Sequence, residues 1–201
     1  MDVNTIKSVY FIGAGGIGMS ALVRYFLSKG KKVGGYDRTP SELTLKLTEE
    51  GADIQYDESP ELIPADFRDS ASTLVVYTAA MPEDHVLLQY FRHHGFTIYK
   101  RAQVLGMLTR TSKGLCAAGT HGKTTVTSMI TQILVENKLD ISAVIGGKLP
   151  IINSNGRIGK TETMVCEACE YVDTLLKLSP DIAVILNIDC DHMEYFKTLD
   201  N

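Results

Sequence analysis

Two stretches of this chain bring together residue types that handle phosphate. In "GTHGKTT", residues 119–125, a lysine and three threonine hydroxyls lie among glycines, with an apolar run before them and an amphipathic one after. Gly122, Lys123 and Thr124 form the GKT core of a phosphate loop. Lys123 can reach the β- and γ-phosphates of a nucleotide and the Thr124 hydroxyl can ligate Mg2+. The backbone amides of Gly119, Thr120, His121, Gly122, Lys123, Thr124 and Thr125 can cradle the oxygens. The strict pattern G-x-x-x-x-G-K-[ST] asks for glycine at 117, where this chain has Ala117, so the loop is a variant. In "FIGAGGIGMS", residues 11–20, Gly13, Gly15 and Gly18 fit G-x-G-x-x-G. That spacing allows a tight turn, a close approach of backbone to a diphosphate and close helix packing, with a helix amino terminus facing the anion. Asp37 follows Gly18 after 19 residues, where a carboxylate can accept hydrogen bonds from a ribose or another sugar hydroxyl. Alone, this loop suits NAD, FAD and nucleotide sugars equally.

A bound triphosphate needs a divalent cation. The residues able to serve it, Glu167, Asp189, Asp191 and His192, fall at the expected ends of later strands, where ligands collect in open α/β sheets. Cys166, Cys169, Cys190 and His192 also spell a CxxC followed by CxH, which raises zinc. Zinc knuckles turn on glycine or polar residues, whereas Glu167 and Ala168 stand between these cysteines at a strand end. The cysteines are read instead as small apolar residues.

The elements that must position these loops alternate. "SVYFI" reads as a buried strand and "IGMSALVRYFLSKG" as a helix stopped by Gly30, followed by strand "KKVGGYD", helix "SELTLKLTEEG" capped by Ser41, and strand "ADIQY". "STLVVYT", "PEDHVLLQYFRHHG" and "FTIYK" repeat the pattern, and a helix begins near Ala102. A polar stretch, "MLTRTSKG", marks a boundary, which places a first domain at 1–110 and a second at 111–201. In the second, strand "GLCAAG" precedes a helix with Val126, Ile130, Ile133 and Leu134 expected on one buried side. "ISAVIGG", "TMVCE" and "DIAVILNID" read as strands, "VDTLLKL" as a short helix and "KLPIINSNGRIGKTE" as an exposed loop. Alternation of this kind means α/β architecture with parallel sheets covered on both faces. The sequence stops just after a strand, so the second unit is expected to be a fragment with apolar surface on its open side.

With 201 residues and 44% hydrophobic content the chain can bury a core. A net charge of -4 and a pI near 5.7 provide no general basic field for nucleic acid, so phosphate must be held locally. No apolar run approaches the roughly 18 residues of a membrane span, and the amino terminus lacks a secretory pattern, so a cytoplasmic protein without membrane or nucleic-acid partners is expected.

With both loops in view, the chain resembles the Mur ligase family. The resemblance rests on "GAGGIGMSAL", "AAGTHGKTTVTSMI", "CEACEY" and "SPDIAVILNIDCDHMEYF", and it covers the whole chain. It implies a Rossmann-like domain for a UDP-sugar followed by a truncated P-loop α/β ATPase domain, with a third domain absent. The implied reaction joins L-alanine to the lactyl carboxylate of UDP-N-acetylmuramate through an acyl phosphate, using ATP and Mg2+. By the same resemblance Gly13, Ala14, Gly15, Gly16, Ile17 and Gly18 hold the diphosphate, with Asp37 near the uridine. Lys123 and Thr124 serve ATP and magnesium, and Glu167 and His192 bind magnesium. Lys123, Glu167 and His192 are thus the expected catalytic set. The chain departs from the family's E-A-D-E-S/Y-D pattern, with Cys169 and Val172 at the aspartate places. A recycling ligase that attaches a tripeptide to the same sugar is the rival within the family, and an NAD-dependent oxidoreductase or a non-catalytic UDP-sugar module are rivals outside it. The chain alone is expected not to make product.

Overall fold

The computed structural model describes residues 6–170 and 174–198. Val172 therefore lies outside the described residues. The chain divides into two compact units, one up to Arg101 and one from Ala102.

In the first unit five parallel strands, β1 (Ser8–Ile12), β2 (Lys32–Tyr36), β3 (Asp53–Gln55), β4 (Thr73–Tyr77) and β5 (Thr97–Lys100), lie in the order β3-β2-β1-β4-β5. Strands β1 and β4 are buried along their whole length, which explains their unbroken apolar sequences. Helices α1 (Ile17–Ser28), α2 (Glu42–Glu49) and α3 (Val86–His93) form the crossovers. Ser41 caps α2 through its hydroxyl, which accepts from the Thr44 N–H at 3.1 Å. On one side of the sheet Tyr10, Phe67, Phe91 and Phe96 pack edge to face or tilted against one another, with ring centroids 4.9–5.6 Å apart. Full burial of each such side chain contributes about 1.5–3 kcal/mol. This is the order of a Rossmann-like sheet, as expected. Its parallel strands bring every β-to-α turn to one edge.

Helix α4 (Arg101–Arg110) belongs to the second unit from Ala102 on, its first residue, Arg101, being the last of the first unit. That unit holds β6 (Lys113–Ala118), β7 (Ser142–Leu149), β8 (Ser154–Arg157), β9 (Thr163–Ala168) and β10 (Ile182–Ile185), in the order β10-β6-β9-β7-β8. Four of the strands are parallel, and β8 runs antiparallel to β7. Helix α5 (Lys123–Glu136) covers β6, β7 and β9, and the short α6 (Met193–Phe196) ends the described chain.

Two expectations are corrected here. The segment read as an exposed loop contains β8, formed because Asn153 takes a left-handed turn at φ 46° and reverses the chain after β7. "SNGR" holds no apolar residue, so neither hydropathy nor alternation betrays it as an edge strand. On α5, Ile133 is 57% exposed, and the inward stripe is the buried Thr127 and Thr131 with the half-buried Ile130 and Leu134 instead. Two threonines among them spend their burial on packing, and Thr131 also donates its hydroxyl to the Thr127 carbonyl at 2.8 Å. The expected open apolar surface is present: Ile182, Ile185 and Ile188, on and just after β10, are 57%, 69% and 78% exposed.

Candidate functional site

In the second unit, β6 runs through Ala118, so Ala117 is not in the loop at all. It is buried in the strand opposite Glu167 of β9. The turn begins at Gly119, whose φ of 135° favours glycine and where a Cβ would come within 3.1 Å of the Asn187 backbone. A glycine at 117 would thus serve no purpose here. Gly122, also left-handed, starts α5.

The Lys123 ammonium folds back over the loop. It donates to the carbonyls of Gly119 at 2.7 Å and Thr120 at 3.0 Å, and it pairs with Glu170 at 2.9 Å. Both side chains of that pair are largely buried, 14% and 16% exposed, so the charges lie in a medium where each depends on the other. At the next residue, the Thr124 hydroxyl donates to a Glu167 carboxylate oxygen at 2.8 Å, which also accepts the Gly146 N–H at 2.9 Å. Thr124 and Glu167, expected together from the sequence, are together.

His192 stands elsewhere in the site. It has a left-handed backbone, φ 50°, and its Nε2 lies 3.9 Å from Glu170 rather than beside Glu167. Among the described residues the acidic and imidazole groups close enough to share a cation are Glu170, Asp191 and His192. The cysteines weighed for zinc are not among them: Cys166 is buried with its Sγ 3.2 Å from that of Cys116, and Cys190 is exposed. Bonding to Cys166 pulls the Cys116 thiol below its usual range, while burial and the same contact push Cys166 up.

Two residues that shape the loop escaped the sequence. Glu170, the partner of Lys123, was visible only as the second acid of "CEACE". Asn187 holds the loop in shape: its side chain accepts from the His121 N–H at 2.8 Å and donates to the His121 carbonyl at 3.0 Å. Asp189 adds to this by donating its N–H to the Thr120 hydroxyl at 2.9 Å, and its carboxylate lies 3.9 Å from His121. A cavity of about 310 Å³ opens beside the loop, bounded by Gly119, Glu170, Asn187, Asp191 and Phe196. Thr125 follows on the first turn of α5 and is exposed.

Both groups suit a hard cation. Thr124 with Glu167, and Glu170 with Asp191 and His192, offer mostly oxygen, which is the preference of Mg2+.

In the first unit, Gly13 and Ala14 donate to the Tyr36 carbonyl at 2.8 and 3.0 Å, and this fixes the turn out of β1. The Gly15 N–H donates to Asp37 at 2.6 Å, so the loop and the acid at the end of β2 meet directly. A Cβ at Gly15 would come within 2.5 Å of Thr44 and 2.9 Å of Asp37, whereas one at Gly16 would meet nothing closer than 3.6 Å. Ile17 and Gly18 open α1, whose first turn contains no acid and whose cap, Gly16, adds no side-chain bond. The partial positive charge at its amino end favours an anion there.

Comparison with known proteins gives these loops relatives. Residues 8–113 match the Mur ligase family catalytic domain and residues 117–201 the Mur ligase middle domain. A UDP-N-acetylmuramate–L-alanine ligase of Phocaeicola vulgatus is 59% identical over 98% of this chain and 43% of its own length. One of Parabacteroides distasonis is 52% identical over the same shares. The crystal structure of a UDP-N-acetylmuramate-alanine ligase from Thermotoga maritima superposes with TM-score 0.84 at 27% identity, over 95% of this chain and 44% of that one. The chain spans less than half the length of the curated relatives it matches. No helix among the described residues is long and apolar enough to cross a membrane.

Proposed function

The chain belongs to the Mur ligase family, and from that premise we propose that it carries the UDP-sugar-binding domain and part of the ATP-binding domain of an enzyme that ligates L-alanine to UDP-N-acetylmuramate. Mur ligases are ATP-dependent enzymes that form carbon–nitrogen bonds. The lactyl carboxylate takes the γ-phosphoryl group of ATP, releasing ADP. The alanine amine then displaces phosphate from the acyl phosphate to leave the amide. The product belongs to peptidoglycan precursor synthesis, and the setting is the cytoplasm.

In this reading Gly13 to Gly18, with Ala14, Gly16 and Ile17 among them, cradle the diphosphate and Asp37 faces the uridine end. Gly119 to Thr125 cradle ATP, with Lys123 on the β- and γ-phosphates. Mg2+ would be held by Thr124 and Glu167, with His192 at a second position. It would neutralise charge so that an anionic carboxylate can approach an anionic phosphate. Lys123 is aimed along the loop, held by two carbonyls and Glu170. On binding it exchanges those partners for phosphate oxygens, and Glu170 is released toward Asp191 and His192.

The observation that carries the reading is the joint placement of Thr124 on Glu167 and Lys123 on Glu170 around one loop. An oxidoreductase would have no use for it. The two relatives above 50% identity favour alanine over a tripeptide as the partner of the sugar. Calorimetric titration with UDP-N-acetylmuramate, with NADH run in parallel, tests the first unit: the UDP-sugar binds and NADH does not. Binding of NADH alone would overturn the assignment. The chain by itself is expected to release no amide when given ATP, Mg2+ and alanine.

A further inference from the structure

The first unit holds a cation whose position its own fold does not account for. Arg101 directly follows β5, so it stands at the same edge of the parallel sheet as the glycine loop after β1. A Cβ built on Gly18 would come within 2.7 Å of a guanidinium nitrogen of Arg101 and 3.1 Å of its central carbon. The guanidinium therefore lies against the first turn of α1.

That is an unfavourable place for it. The amino end of a twelve-residue helix carries a partial positive charge, and α1 has no acid in its first turn to offset it. Arg101 is also the first residue of α4, another helix with no acid in its first turn. Among the described residues no carboxylate pairs with Arg101. Asp37, the acid that meets the glycine loop from the end of β2, has one oxygen committed to the Gly15 N–H. In the usual dinucleotide fingerprint the last glycine lets helix and strand pack closely. Here the space it leaves is filled by a guanidinium instead.

An arrangement of amides, helix terminus and unpaired guanidinium becomes favourable once an anion is seated among them. We propose that Arg101 is a positioning residue of the nucleotide-sugar site, its guanidinium closing over the diphosphate that rests on the amides of the loop and of the first turn of α1. Arg suits this because its planar donors match two phosphate oxygens at once. The inference rests on the assignment of the first unit to a UDP-sugar. It adds that the diphosphate is recognised by side-chain charge as well as by amides, and that Gly18 is needed to admit that side chain.

The test uses the whole chain, UDP and uridine. Arg101→Met keeps the aliphatic stem and removes the charge. UDP affinity by calorimetry should fall 10–100-fold, while uridine binding, followed by ligand-observed NMR, stays the same. The melting temperature without ligand should be unchanged or higher, because a cation has left two helix amino termini. A purely structural arginine would do the reverse. Gly18→Ala should displace the guanidinium and weaken UDP binding, with no further loss when combined with Arg101→Met. UDP affinity within twofold of the parent in Arg101→Met, equal loss for uridine, or a lowered melting temperature would overturn the role of Arg101. Failure of the unaltered chain to bind UDP at all would overturn the site assignment beneath it.

Discussion

In the first unit the turn between β1 and α1 lends an amide to a carboxylate, Gly15 to Asp37. In the second, the turn between β6 and α5 lends carbonyls to a cation, Gly119 and Thr120 to Lys123, which is itself balanced by Glu170. Both are strand-to-helix turns at the carboxyl ends of parallel strands, yet the bonds they make have opposite polarity. A phosphate entering the first loop competes with one carboxylate for one N–H. A phosphate entering the second draws a lysine away from three acceptors and frees an acid. The first loop is governed by backbone shape, the second by an exchange of charges.

Removing the lysine should separate the two most sharply. Lys123→Met leaves Glu170 largely buried without its cation, which is expected to destabilise the second unit by roughly 3 kcal/mol. It should also weaken ATP binding at least about tenfold, the loss of a charge-assisted hydrogen bond. Thermal melts and nucleotide titration measure both, and UDP-N-acetylmuramate binding should not change. If ATP binding survived, the second loop would be a backbone cradle like the first and the contrast would collapse.

A smaller effect sharpens the other side. Gly15→Ala forces a methyl against Thr44 and Asp37 and should weaken UDP-sugar binding about tenfold, within the range for overpacking. Gly16→Ala, next to it, meets only ordinary van der Waals contacts at 3.6 Å or more and should stay within about threefold. Equal effects from the two would mean that glycine matters here through flexibility and not through close approach.

Much of this was legible in the residues. β1 and β4 announce themselves because a strand buried on both faces must be apolar throughout, and the loops because glycine, lysine and hydroxyls have few other reasons to cluster. What was not legible depends on proximity across the fold. Glu170 reaches Lys123 over 47 residues and Asn187 reaches His121 over 66, with no pattern in the sequence tying either pair. Arg101 reads as an ordinary surface charge until the sheet order sets β5 two strands from β1. Strand β8 hides because an edge strand at a hairpin needs no apolar face. The stripe on α5 misled because two threonines took places that hydropathy gives to isoleucine.

The sheet order of the second unit also has a consequence in time. β6 lies between β9 and β10, joined to them through residues 50 and 67 positions later, and the bonds from Asn187 and Asp189 that shape its loop span 66 and 69. The first loop closes on an acid only 22 residues away. A threefold longer span adds about 1 kcal/mol of loop-closure cost, and such contacts form later. On refolding, or as a growing chain leaves the ribosome, the first loop should be complete while the second is still unmade. Pulse-labelled amide exchange during refolding would find Gly15 protected before His121.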